Sequence, residues 1–252
     1  MGSYSTQFAK SSAQELSLEE RNILAVAFKN VVGTRRAAWR VLSSIQKKEN
    51  IKGNAENVQK VKNYKQQIET ELTSICQDIL DLVDDTLLPN SNSDESKVFF
   101  HKMKADFMRY IAEFSTADHK TQVANKALRA YEEASGLAKQ SLSNTHPLKL
   151  GLALNHSVFY YEILQNPEKA CAMARTAFDE AIADLDSVQD EYYKDATLIM
   201  QLLRDNLLLW TSELAEDDAA AGPSRIWLHI SHYAVTHPPH HFPSTALFRI
   251  TQ

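Results

Sequence analysis

Apolar residues recur every three to four positions along most of this chain, the period of an amphipathic helix, and polar punctuation cuts the pattern into about seven segments. Ser17 followed by Glu20 fits a capping box ahead of a long helix from Leu18 to about Lys48. A polar link around Asn50 to Asn54 then leads into a second long helix, which Pro89 and its Asn and Ser neighbours end near Leu88. The remaining segments predict helices over Asp94 to Phe114, Asp118 to Leu142, Pro147 to Leu164, Pro167 to Leu185 and Glu191 to Ala215. Pro147 and Pro167 suit a first helical turn, where a missing N–H costs nothing. Short links of this kind fold successive helices back on one another, so the expected class is all-α with antiparallel helices.

Isolated polar residues interrupt the apolar pattern at helical spacing. Lys29, Arg36 and Arg40 are seven and four residues apart, which puts three cations on nearly one face at about 3.6 residues per turn. Lys102, Arg109 and Tyr110 likewise align two cations and a phenol along one side of a later helix. Two further lines mix amides with apolar groups: Asn155, Val158 and Glu162 on one helix, and Leu198, Leu202, Asn206 and Trp210 on another. An Asn side chain both donates and accepts, which suits it to an extended peptide main chain whose amides have left water. Together the four helices predict a concave groove, cationic on one side and apolar on the other.

Composition sharpens this picture. The 252-residue chain has a net charge of −5, so the gathering of cations on two helices has no bulk explanation and points to a small anionic partner. The same balance argues against nucleic acid, which needs a broad basic footprint. Cys76 and Cys171 lie in helical segments without metal-ligand spacing, which predicts buried, reduced thiols and no metal or cofactor. The chain has no run of eighteen apolar residues and no secretory pattern at its start, pointing away from membrane and secretion. In that setting Asn155-His156-Ser157, inside an apolar helix, reads as a chance match to the glycosylation pattern. Gly-rich phosphate loops, GxSxG and HExxH are absent, so no enzyme is indicated, and His156 is expected to be structural.

The blocks RNILAVAFKNVVGTRRAAWR, SKVFFHKMK, LGLALN, EKACAMARTAFDEAI and YKDATLIMQLLRDN resemble the 14-3-3 proteins from about Leu16 to Ala215. The resemblance implies an adaptor that binds phosphoserine or phosphothreonine motifs of client proteins, regulates their activity, location or association, and performs no chemistry on them. It implies phosphate contacts from Lys29, Arg36, Arg109 and Tyr110. It implies main-chain contacts from Asn155 and Asn206, supported by Glu162 and Trp210. Leu154, Val158, Leu198, Ile199 and Leu202 would form the apolar wall, with Arg40 and Lys102 at the groove edge. Reduced thiols and the lack of a secretory pattern point to a cytoplasmic location, with the nucleus as a second one. In the empty groove, clustered cations are expected to repel one another.

Both ends depart from the family pattern. About sixteen residues precede the segment matching Leu18, so about seven of the family's nine helices are expected, in a domain spanning 17–215. Tyr64 and Glu71 match family dimer contacts, but a basic residue usual between them is Gln67. A homo- or heterodimer by the family route is therefore expected to be weakened. Residues 216–252 form an atypical, disordered tail by expectation, with five of the nine histidines and four of the seven prolines. That composition suggests a misread exon boundary, a frameshift or a cloning remnant; a separate expectation is that the segment from Ser224-Arg225 onward folds back over the groove as a pseudo-ligand, while weak metal binding by His229, His232, His240 and His241 has poor support in their spacing. The rival architecture is a tetratricopeptide-like scaffold for unphosphorylated C-terminal peptides, although no thirty-four-residue repeat is visible.

Overall fold

The computed structural model describes residues 15–221, with side chains placed as far as residue 215. Among the described residues there are seven α-helices and no strands: α1 (Leu18–Ile51), α2 (Ala55–Leu82), α3 (Asp94–Phe114), α4 (Ala117–Ser141), α5 (Pro147–Glu162), α6 (Pro167–Ala183) and α7 (Asp190–Ala221). The protein is all-α, as the periodicity predicts.

Helix starts follow the local chemistry. Ser17 Oγ accepts from the Glu20 amide at 3.3 Å while Glu20 accepts from the Ser17 amide at 2.8 Å, completing the capping box. His146 and Asn166 cap α5 and α6 with their side chains, and a proline follows each in the first turn. Two boundaries differ from the sequence pattern by more than three residues. The second long helix gives way after Leu82 to a wide π turn over Val83–Leu87, with the Leu88 amide donating to the Val83 carbonyl at 2.9 Å. The additional residue in that turn keeps Leu82, Val83 and Leu87 all buried while Asp84 and Asp85 stay outside. The last helix continues past Ala215 to Ala221. The rest of the C-terminal segment, with its histidines, lies outside the described residues.

Packing pairs α1 with α2, α3 with α4, and α6 with both α5 and α7. Arg21 ties α1 to α3, donating to Ser96 Oγ at 2.6 Å and pairing with Glu95 at 3.1 Å. One core holds Phe28, Leu72, Phe100, Phe107 and Tyr131 from the first four helices. A second holds Leu150, Leu154, Ala174 and Leu203 from the last three. α5 serves both, giving Leu152 and Phe159 to the first core and Leu150 and Leu154 to the second. A helix apolar on so many sides has to be central, and α5 also contacts α3 and α7. Helices α1, α3, α5 and α7 are thus linked in series, α1 to α3 through Arg21, α3 to α5, and α5 to α7. Cys76 is fully buried, and burial pushes its thiol up to about 12, consistent with an inert, reduced side chain. Among the described residues, no helix is long and apolar enough to cross a membrane.

Candidate functional site: a cationic cradle facing an apolar wall

The cationic side is built where α1 meets α3. The Arg36 guanidinium lies over the Tyr110 ring, 4.0 Å from its centroid, and Arg109 approaches the same ring at 4.8 Å. Glu113 clamps two cations at once, accepting from Arg36 Nε at 2.8 Å and Arg40 Nε at 2.6 Å. With Nε engaged there, no other hydrogen bond is made by the Arg36 guanidinium among the described residues, leaving its terminal N–H groups available. Arg109 Nε donates to the Tyr131 hydroxyl at 3.2 Å, and its terminal nitrogens lie 3.8 Å from Asp106 and 4.0 Å from Glu162. Lys29 is half-buried and has no ion pair among the described residues. Burial pushes the Tyr110 phenol up, so its hydroxyl remains a donor.

Asp106 sits beneath this cradle and is fully buried. Its carboxylate accepts from Lys102 Nζ at 2.8 Å, from the Tyr131 hydroxyl at 2.7 Å and from Asn155 Nδ2 at 2.9 Å to both oxygens. Burial opposes ionisation, but Lys102, Arg109 and Lys29 hold the carboxyl well below the usual range. Neither Asp106 nor Glu113 stands out in the sequence as a site residue. The signal is there, because the two are seven residues apart and share a helical face with Lys102 and Arg109.

These carboxylates correct the expectation of mutually repelling cations. Arg36 and Arg40 share Glu113, Lys102 holds Asp106, and Arg109 lies near Asp106 and Glu162. With Lys29, which also acts on Asp106, five cations around the cradle face the three carboxylates of Asp106, Glu113 and Glu162, so an excess of two positive charges remains. That excess matches the roughly −1.5 to −2 charge of a phosphoserine.

The opposite wall comes from α5 and α7. A methyl group placed on Gly151 would come within 3.8 Å of Lys102 Cε and 4.0 Å of Ile199 Cδ1, so the cationic and apolar sides approach each other across this glycine. Leu198 is 38% exposed and Ile199 partly so, whereas Val158 and Leu202 show only a margin. Leu154 is completely buried and supports the wall from behind. Trp210 is also buried, stacked 4.8 Å from the Tyr161 ring, while Tyr161 donates to Glu213. Asn206 is half-buried, with no side-chain hydrogen bond among the described residues. Glu162 is exposed beside Arg109, so it faces the cationic side. A separate hollow of about 430 Å³ between α4, α5 and α6 contains none of these residues.

The 14-3-3 protein family model matches residues 1–211. The chain belongs to the 14-3-3 family. It is 57% identical over 202 residues to 14-3-3 protein 7 of Solanum lycopersicum, covering 80% of each chain. It is 57% identical over 212 residues to the checkpoint signal transducer rad24 of Schizosaccharomyces pombe, covering 84% of this chain and 78% of that one. A 14-3-3-like protein of Chlamydomonas reinhardtii is 58% identical over 212 residues, covering 84% and 81%. Family membership sets aside the tetratricopeptide alternative and supports an adaptor role, the binding of partner proteins, rather than catalysis. Within this 14-3-3 chain, Tyr64 on α2 is exposed, and Glu71 accepts from Arg35 at 2.8 Å.

His156 is structural in this site. It lies between the Tyr131 ring at 4.7 Å and the Tyr160 ring at 5.0 Å, and burial pushes it down to about 4. The unfolded chain therefore binds a proton that the folded one refuses between roughly pH 6.5 and 4. Stability should fall as pH drops through that window, by up to about 3 kcal/mol from this residue. His156→Phe is expected to flatten that slope in urea melts at stepped pH; an unchanged slope would assign the window to His101 and His146, which burial also lowers.

Proposed function

We propose that the groove binds phosphoserine- or phosphothreonine-containing segments of partner proteins, and that this binding governs the partners' activity, location or association. Lys29, Arg36, Arg109 and Tyr110 hold the phosphate, with Arg40 and Lys102 at the edge. Asn155 and Asn206 bond the peptide main chain, Glu162 and Trp210 support them, and Val158, Leu198, Ile199 and Leu202 receive an apolar side chain, with Leu154 behind. The observation that carries this reading is the cradle itself: guanidinium donors aimed by Glu113 and a phenol donor surround an excess of two positive charges.

Every residue named comes from one chain, so a single copy holds a complete site. Residues 17–215 are the binding unit in this reading, acting in the cytoplasm or nucleus. A dimer, where it forms, adds avidity for doubly phosphorylated partners on the order of 10²–10⁴-fold without changing the site.

Competition against a labelled phosphopeptide of the type Arg-Ser-x-phosphoserine-x-Pro tests the proposal. Unlabelled phosphopeptide should displace the label at micromolar concentrations. Its unphosphorylated twin and an unphosphorylated carboxyl-terminal peptide should not. Equal displacement by all three would show that the groove does not read phosphate.

A further inference from the structure

The Asn155 amide is held in one orientation by the fully buried carboxylate of Asp106. Both Asp106 oxygens lie 2.9 Å from Asn155 Nδ2. An ionised carboxylate has acceptors and no donor, so only the amide nitrogen can face it at that distance. The Asn155 carbonyl oxygen is therefore directed away, and it has no hydrogen bond among the described residues. Asp106 cannot turn aside to relax this arrangement, because Lys102 Nζ and the Tyr131 hydroxyl hold its two oxygens from other directions. Both side chains of the pair are buried, which strengthens their bond and polarises the amide toward a better acceptor at its oxygen. Asn206 has no such partner among the described residues, and its amide is able to present either end.

We propose that Asp106 is a positioning residue that makes Asn155 read the bound main chain in one direction: Asn155 accepts an N–H from the ligand and does not donate to a carbonyl. This inference rests on the groove reading above. It adds a rule for the ligand, which has to present a main-chain N–H opposite Asn155. Proline is refused at that one place, because it has no N–H to give. Asn206 imposes no matching rule.

An ester scan of the phosphopeptide tests the inference. Each main-chain amide is replaced in turn by an ester, which removes one N–H, and dissociation constants are measured on the wild type, Asp106→Asn, Asp106→Glu and Asn155→Leu. One ester position is expected to lose affinity roughly tenfold relative to its neighbours on the wild type. That position-specific loss should vanish in Asn155→Leu, which assigns it to Asn155. It should also vanish in Asp106→Asn, where the neighbouring amide no longer forces the orientation, and persist in Asp106→Glu, which restores a carboxylate. A merely structural role for Asp106 would weaken all esters equally and leave the pattern intact. Should Asp106→Asn not fold, the wild type and Asn155→Leu still decide whether Asn155 is the acceptor, and Asp106→Ser, which has no carboxylate and adds no bulk, takes its place: the position-specific loss should vanish there, and its persistence overturns the inference.

A flat scan on a wild type that still separates phosphorylated from unphosphorylated peptide overturns the inference and leaves the groove reading standing. The same position-specific loss in wild type and Asp106→Asn overturns it too. Failure to separate the two peptides overturns the groove reading, and the inference with it.

Discussion

An Arg36→Glu protein should lose phosphopeptide affinity by about a hundredfold or more while binding of the unphosphorylated twin, already weak, stays where it was. Hydrogen bonds to a charged group contribute roughly 1.5–3 kcal/mol each, and tenfold in affinity corresponds to 1.4 kcal/mol, so loss of one charge-assisted contact with added repulsion reaches that range. The consequence inside the protein also follows from the geometry. Arg36 is buried, and Glu113 would face a second carboxylate where it now accepts at 2.8 Å. Arg40 remains to Glu113 as a partner, so the fold should survive with a lower melting midpoint. Fluorescence anisotropy with both peptides, alongside circular dichroism, separates the two effects. Unchanged phosphopeptide affinity in a folded variant would remove Arg36 from the cradle.

The second large effect concerns stability. Asp106→Leu should lower the free energy of unfolding by about 3–5 kcal/mol, because it strips a buried counter-charge from Lys102 and an acceptor from Tyr131 and Asn155. Against a total on the order of 5–15 kcal/mol, that is enough to make the protein marginal. The pH dependence has a defined sign. Asp106 is held below its ordinary value of 3.8, and Glu113 below its 4.5. A depressed carboxylate contributes stability that is complete above the unfolded value and disappears as pH falls through the folded one. The wild type should therefore lose stability as it is acidified below about pH 4, and Asp106→Leu should lose less over the same interval. Urea titrations at stepped pH would show the difference as converging midpoints. Parallel curves would mean that Asp106 is not ionised in the folded state.

Most of the architecture could be read from the sequence because local signals and packing agree. The capping box at Ser17 and Glu20, Pro147 and Pro167 in first turns, and the polar breaks at Asn50 to Asn54 and after Pro89 mark helix ends that the structure places within a few residues. The π turn at Val83–Leu87 escapes this kind of reading, since it depends on which side chains α3 leaves room for and not on local propensity. The cations of the groove were visible as a stripe on α1 and a second on α3. Their carboxylate partners were not, because Asp106 stands four residues after Lys102 and Glu113 four after Arg109, a spacing shared by ordinary surface ion pairs. Only the fold reveals that Asp106 is buried between α3, α4 and α5, and that Glu113 reaches across to α1. Leu154 and Trp210 show the converse: they keep the helical period of a wall, but depth decides that they support it from behind.

In the proposed complex the cations of α1 and α3 surround a phosphate on the bound partner. Phosphorus NMR of the phosphopeptide, titrated with pH while saturated with protein, measures this at the group itself. A free phosphoserine takes its second proton near a pH of about 6. Enclosed by Lys29, Arg36 and Arg109, the dianion is favoured, so the bound phosphate should titrate about a unit or more lower. A bound peptide whose phosphate titrates as it does in water would place that phosphate outside the cradle and remove Lys29, Arg36 and Arg109 as its partners.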